Sequence, residues 1–535
     1  MWKDSQKARL KRYTDCLGED PELCLPRRTA EREAAFSPGG EPGGTLFCPG
    51  EGQYAALLSF EEDQRKSFEA VTDCVLAPAL HSFVLWVLRE AIASGKQRLY
   101  FLARDGYLMY RAASYYRGRF GLPIECRYLY CSRYSVRIPM FHLNMDEAMN
   151  YICRGGIDVT MHKILSRAGL TAAEEKRILS LSGFAGREGD IIPYAKLSQI
   201  RRRLEQCEPF CDLVRRHSEE AMPALAGFLR QEGLLEDVPA ALVDSGWVGS
   251  MQKVLGEVLS YLRAAGMSVC RESQEVRAAD TDGAPRLEGY YWGLYELPEG
   301  VRAADYHCFY FSPSDGLREK VYFSNCLFEG VFSAPHGMTI GYEEADGRYR
   351  PVCEEVSSGR REFMEAETAR ILNYIRAQAD WMCAEMRPDV PGDGKREDTG
   401  QDAACDTAMR DYPERMDPEK THQTIYRLLK LFMSEPSRQE AEVFGSLQFS
   451  DDVLEESGQE IAAPLSQREL RDNYPVHKAL RLLGIRKDRV RESAWYEGSA
   501  VRGGRHVRRH LRRYTWYKYL LYLRKNRMWS KRKDG

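Results

Sequence analysis

Between residues 67 and 95 the apolar side chains Val71, Val75, Leu76, Leu80, Phe83, Val84, Val87 and Leu88 recur at three- and four-residue spacing, which predicts a helix stopped by Gly95. The period then changes. RLYFLARDGYLMYRAASYYRG opens on a compact apolar run, turns at Asp105-Gly106 and resumes helical spacing through Tyr107, Met109, Tyr110 and Ala113, giving strand, tight turn and helix. CRYLYCSRYS, residues 126–135, is a second β-rich run, separated from the first by a crossover long enough for parallel pairing. PAALVDSGWVGSMQKVLGEVLSYL repeats the strand-turn-helix pattern, with the apolar run stopping at Asp244 and a helix from about Ser250. EGYYWGLY, residues 288–295, supplies a fourth strand. Strands separated by helical patterns predict an α/β fold with a mostly parallel, doubly wound, Rossmann-like sheet.

The flanking text sets the organisation. Residues 1–60 hold PRR, SPGGEPGG and CPGEG, whose Pro and Gly density predicts a loosely ordered lead-in to a core at 61–345. Residues 141–235 read as an inserted helical unit, including LSRAGLTAAEEKRILSLSG, placed to serve as a cap, and 323–342 closes the core. A helical region spans 346–470, interrupted by a polar, breaker-rich linker at 387–418. Residues 471–535 form a basic amphipathic tail.

Composition narrows the class without choosing a function. At 43% hydrophobic and 29% charged residues with a formal net charge of −2, the 535-residue chain has ordinary globular usage, which points to no wholesale disorder and excludes neither an enzyme nor a scaffold. Fifteen cysteines without a Cys-x-x-Cys pair point to neither a zinc knuckle nor a disulfide framework, so reduced thiols are expected. The charged start, MWKDSQKARLKRY, lacks an apolar h-region, and no run reaches the roughly 18 uninterrupted apolar residues of a membrane span. A cytoplasmic location is the expectation.

In open α/β sheets ligands bind beyond the carboxyl ends of the strands, where loops vary and helix N-termini offer unpaired N–H groups. The candidates are therefore Arg104, Asp105 and Gly106 after the first run, Ser132 and Arg133 after the second, and Asp244, Ser245, Gly246, Trp247, Gly249 and Ser250 after the third. Two carboxylates with two arginines and a glycine-rich turn suit a phosphate, with Asp105 and Asp244 as catalytic residues able to hold Mg²⁺ through oxygen. Each aspartate alone also fits a turn or helix N-cap, and Arg104 and Arg133 also fit simple pairing with the aspartates. Trp247 also suits cover for a sheet edge, and the alternating tyrosines of YLYCSRY suit core and rim. VDSGWVGS has the general form of the phosphate-cradling loop of phosphoribosyltransferase-like folds as well.

FLARDGYLM, YLYCSR and ALVDSG stand in the order of the motifs of HAD-like phosphohydrolases and phosphotransferases, and the chain resembles that family. The resemblance implies a phosphate-oxygen donor at Ser132 and a metal ligand at Asp244. If Asp105-Gly106 matches the end of the first motif, Ala103 occupies the nucleophile position; shifted by two, Asp105 is the nucleophile and Tyr107 replaces the acid. Together with GYYWGLY, FEGVFSAPHGMTIGY and EPSRQEAEVFGSLQFSDD, these segments look like a bacterial family of predicted HAD-like hydrolases associated with surface-polysaccharide biosynthesis genes, over about 70–460. The implied substrate is a phosphorylated sugar or sugar nucleotide. The alternative is a catalytically silent adaptor or phosphosugar-binding protein partnering a glycosyltransferase.

From residue 486 onward, 17 Lys and Arg stand against 4 acidic residues, interleaved with Trp516, Tyr517, Leu520, Leu521, Leu523 and Trp529. Peripheral contact with an anionic membrane and docking on the protein's own helices fit this pattern equally, and nucleic acid ranks below both. His506 and His510 are expected at the surface, and Cys207 and Cys211 packed against apolar neighbours. Glu329 and His336 flank FEGVFSAPHG within reach of the strand ends, where a turn role has equal weight.

Overall fold

Five short runs align in parallel as one sheet: β1 (Arg98–Leu102), β2 (Glu125–Leu129), β3 (Ala240–Trp247), β4 (Glu288–Leu294) and β5 (Tyr306–Phe311), in the order β2-β1-β3-β4-β5. The computed structural model describes residues 5–20, 23, 60–156, 159–266, 287–385, 417–449, 459–482 and 491–533. β1 pairs with β2 through Phe101↔Tyr128 and with β3 through Phe101↔Val243. The chain therefore leaves β2 on one side of β1 and re-enters the sheet on the other. That reversal is the topological switch point, and it opens a crevice beyond the carboxyl ends of β1 and β3.

The α/β class and the parallel sheet agree with the sequence pattern; the fifth strand, YHCFYF, is an addition to the expected four. The apolar stripe from Val71 to Leu88 is fully buried, in a helix that runs through one π turn between Glu62–Val71 and Ala77–Ala93. By length and composition that 62–93 helix is apolar enough to cross a membrane, and 83% of its most apolar window is buried inside the protein. The described residues of 141–235 are mainly helical and carry a separate apolar core that includes Met149, Ile152, Ile164, Leu165, Ile178, Leu204 and Phe210. The expected linker at 387–418 lies almost wholly outside the described residues. All eleven described cysteines are free thiols.

Three expectations change, at the lead-in, at 339–353 and at His510, and for the tail one of the two equal readings, docking on the protein's own body, is met. Within the lead-in, Gln6–Gly18 is a helix docked through buried Arg9 and Tyr13, while 24–59 lies outside the described residues. Residues 339–353, expected to run from the end of the core into a helical region, instead form a hairpin of β6 (Thr339–Ala345) and β7 (Arg348–Cys353). The hairpin lies on the Glu208–Gln231 helix, where Phe228 stacks on Tyr342 at 4.4 Å and the ring of Tyr349 occupies the space a side chain at Gly227 would need. The basic tail is a helix, Val507–Lys533, whose inner face packs on the body. Its Lys518 is buried and donates to the Phe323 carbonyl at 2.8 Å and to Glu497 at 3.1 Å, and Tyr522 stacks on Tyr295 at 5.2 Å. His510 is buried rather than exposed: Nδ1 meets the Tyr474 hydroxyl at 2.8 Å and Nε2 faces Gln467 at 3.2 Å.

Arg9 explains why the amino-terminal helix docks where it does. Its Nε and Nη2 donate to the two Glu440 oxygens at 2.8 and 2.9 Å, and Tyr13 donates to Oε1 at 2.8 Å. Both ionic partners are buried. Removing one member leaves an uncompensated buried charge, so Glu440→Leu should cost about 3–5 kcal/mol. Urea unfolding checks this, and a loss below about 1 kcal/mol refutes the structural role assigned to the pair.

Candidate functional site

At the end of β1 the Ala103 N–H donates to the Leu129 carbonyl at 3.0 Å, extending the ladder with β2 before the chain turns into the Gly106–Phe120 helix. Asp105 sits at the N-cap position but makes no side-chain capping bond there. Its carboxylate instead accepts a hydrogen bond from the Ser245 hydroxyl, across from β3. Gly106 lets the helix start hard against β1, since a Cβ there would lie 3.0 Å from the Phe101 carbonyl carbon.

On β3, Asp244 lies within the strand, which continues to Trp247 instead of stopping where the apolar run stops. The Ser245 N–H donates to Asp244 Oδ1 at 2.9 Å, so one residue holds both aspartates, one by its backbone and one by its hydroxyl. Gly246 has φ +122° and packs against β4 so closely that a Cβ would fall 2.1 Å from the Gly293 oxygen. Trp247 has φ +153°, rare for a bulky residue. Its indole is held by Phe323 and Phe328 at 5.3 and 5.6 Å, and its Nε1–H donates to Glu329 Oε1 at 2.5 Å. Because β3 is central in the sheet, Trp247 covers no sheet edge.

Glu329 comes from the Asn325–Val331 helix and completes a trio of half-buried carboxyl groups with Asp105 and Asp244. Burial, with Asp105 nearby, pushes Asp244 up to about 8. Burial and the same neighbour push Glu329 up to about 7, and burial raises Asp105 as well. Arg133 opposes the rise in all three, and Arg104 in Asp105 and Glu329. These arginines act on the whole cluster, beyond the single pairings the sequence suggested.

The trio opens into a cavity of about 520 Å³, within the range of small-molecule sites. Of the residues expected there, Arg104, Asp105, Ser132, Arg133, Asp244, Ser245, Gly246, Trp247 and Ser250 line it. Gly106 and Gly249 do not: Gly249, at φ +69°, caps the Ser250–Ala264 helix and faces the Tyr306 ring. Ser132 lines the wall with its hydroxyl already committed. It caps the Arg133–Arg137 helix, accepting from Tyr134 N and Ser135 N at 3.1 and 3.0 Å, and donates its proton to the Thr339 carbonyl at 2.6 Å.

The remaining wall comes from segments with no strand-end signature. The helical insert contributes Tyr151, Arg154, Gly155, Gly156 and Arg167, and the carboxyl-terminal half contributes Arg360 and Gln448. Arg154 lies over the Tyr151 ring at 5.2 Å, and Arg167 fixes that loop by donating to the Arg154 carbonyl at 2.7 Å. Glu329 had one legible cue, its place in FEGVFSAPHG. His336, from the same segment, is outside the cavity lining, bonded to the Tyr128 hydroxyl and the Gly337 carbonyl, both at 2.8 Å.

Among the described residues no three His, Cys, Asp or Glu side chains form a metal-binding cluster. Mg²⁺ does not need one, since it commonly keeps several waters and takes one or two carboxylates plus substrate oxygens. Asp105 and Asp244, two half-buried carboxyl groups held by one serine at the cavity, fit that donor set.

The raised carboxyl groups make a stability prediction. Their folded-state pKa values lie above those of the unfolded chain, so the folded protein binds more protons between about pH 4 and pH 8. Their contribution is therefore full below the unfolded-state pKa and lost as pH rises through the folded value. Asp244→Asn and Glu329→Gln should each gain about 3–5 kcal/mol over the native sequence at about pH 8 and match it within about 1 kcal/mol at about pH 4. Denaturant titrations across that range decide it; a gain that does not change with pH contradicts the account. No family model matches the chain, and no curated protein matches it at a significant level.

Proposed function

We propose that the switch-point cavity transfers or hydrolyses the phosphoryl group of a phosphorylated sugar or sugar nucleotide, in the manner of a HAD-like phosphohydrolase or phosphotransferase serving bacterial surface-polysaccharide assembly. The observation that carries this reading is the Ser245 bridge between Asp105 and Asp244, with Glu329 beside them in one cavity. A carboxylate cluster of this kind, facing arginines, gives opposite charges to the two parts of a metal-phosphate pair.

Asp105 and Asp244 would hold Mg²⁺, which when bound supplies positive charge to phosphoryl oxygens. Arg104 and Arg133 orient the non-bridging oxygens, and the backbone at Ser250, first residue of its helix, offers N–H donors to the same group. The Ser132 and Gly249 roles expected from the motifs pass to these residues, because Ser132 is committed to its cap and Gly249 lies off the cavity. Glu329 has one oxygen fixed by Trp247 and a carboxyl near 7, which suits delivery of a proton to a leaving oxygen at neutral pH. Arg154 and Tyr151 of the insert face the leaving group and set which sugar fits.

A binding-only adaptor is the second reading, and Ala103 favours it, since one register of the motif places a methyl group where the nucleophile belongs. One experiment separates the two. Phosphate release from a panel of sugar phosphates, and nucleotide release from a panel of nucleotide sugars, both with Mg²⁺, should fall about 10²–10³-fold in Asp105→Asn and Asp244→Asn. In Glu329→Gln the decline of kcat above about pH 7 should disappear. Turnover unchanged in both aspartate variants removes the enzymatic reading; absence of turnover in the native protein, with sugar-phosphate binding retained, selects the adaptor.

A further inference from the structure

The inner face of the Val507–Lys533 helix is spent on the protein's own body, through Lys518, Tyr522 and Asn526. The outer face is not. Of the ten large hydrophobic side chains that stand exposed among the described residues, four fall within thirteen positions here: Trp516 (61% exposed), Tyr519, Leu520 and Met528. At about 3.6 residues per turn Trp516 and Leu520 share one side of the helix with exposed Arg509, Arg512, Arg524 and Arg527, and Tyr519 and Met528 stand at its two margins. Leu520, Leu523 and Met528 also line a shallow groove there with Arg524 and Arg527.

We infer that this outer face docks on an anionic lipid surface. The helix holds eleven Lys and Arg and no acidic residue, so its electrostatic complement is a dense array of negative charge. Trp and Tyr are side chains that settle at headgroup depth, and the Leu and Met side chains between them reach the acyl boundary. A second copy of the same face would bring like charges together. Nucleic acid would satisfy the arginines and the two aromatic rings, yet leave the Leu520, Leu523 and Met528 groove in water. Lipid satisfies all three.

The helix also stands on the rim that carries the cavity. Tyr522 stacks on Tyr295, whose N–H donates to the Trp247 carbonyl at 2.8 Å, and Trp247 lines the cavity. Docking therefore brings the strand-end side of the sheet to the headgroups. The inference is independent of the chemistry proposed for the cavity, because its test reads partitioning and no turnover.

Co-sedimentation of the full chain with vesicles of phosphatidylcholine alone, or mixed with phosphatidylglycerol, tests it. Binding at least about tenfold stronger to the mixed vesicles, weakened by salt, is expected. The double variant Trp516→Glu, Leu520→Glu should abolish it. Arg512→Gln, Arg524→Gln and Arg527→Gln together should weaken it about 10²-fold, at about fivefold each. The substituted positions are exposed, and an unchanged thermal midpoint checks that the fold survives; the arginine variant gives an answer even if the double variant unfolds. Equal affinity for both vesicle types overturns the inference, as does undiminished binding by folded variants. Binding to single-stranded DNA without vesicle binding, or a dimer without vesicle binding that the double variant dissolves, overturns it too.

Discussion

Asp105, Asp244 and Glu329 place three acidic groups in one half-buried pocket, and the repulsion among them is the constraint around which this end of the molecule is arranged. Carboxylates cannot share such a space at full charge unless something positive enters it. Protons answer part of the problem, which is why Asp244 and Glu329 hold theirs toward neutral pH. Arg133 and Arg104 answer another part from the wall. The fold keeps the groups together regardless, through the Ser245 bridge and the Trp247 indole. A local arrangement that raises the free energy of the folded state and is nevertheless clamped from several sides is characteristic of a site whose ligand supplies the missing charge.

The clamp depends on the sheet. Placing β1 between β2 and β3 brings two strand ends separated by about 140 positions of chain side by side, and Gly246 allows β3 to approach β4 closely enough to turn Trp247 toward Glu329. Aromatic packing then holds a backbone conformation that Trp247 would not choose alone. The helical insert and the carboxyl-terminal half close the cavity opposite the acids with arginine-bearing segments. The floor is thus acidic, whereas the remaining wall carries Arg154 and Arg167 just beyond helix ends and Arg360 on a helix.

Much of the floor was legible in the sequence because it is local: an apolar run that stops at a charged residue followed by glycine reads as a strand end without any knowledge of what lies opposite. The same locality explains the errors. Ser132 and Gly249 stand at strand-helix junctions, but a junction serine can spend its hydroxyl on its own helix and a junction glycine can exist only to clear a tyrosine ring. Glu329 joins the site through a tertiary contact, so spacing could not rank it above His336, which turns toward Tyr128. β5 escaped because no α-helix separates YHCFYF from the fourth strand, so the strand-helix alternation that marked the other strands is missing there. The docked helix at residues 6–18 was hidden among charged residues, and only a partner more than 400 positions away, Glu440, makes burial of Arg9 tolerable.

The near-neutral total charge conceals a separation that ties the two ends of the argument together. Residues 507–533 carry eleven cations and no anions, so the rest of the chain, with 66 Lys and Arg against 79 Asp and Glu, is left at a formal −13. A body of that sign is repelled by an anionic surface while the terminal helix is attracted, and the resulting torque selects one orientation before any contact forms. The helix that does the orienting is anchored to Tyr295 at the end of β4, beside Trp247. Charge segregation along the chain thus meets the sheet topology at one place: the acids gather in the carboxyl-terminal rim, and the basic helix is anchored beside it.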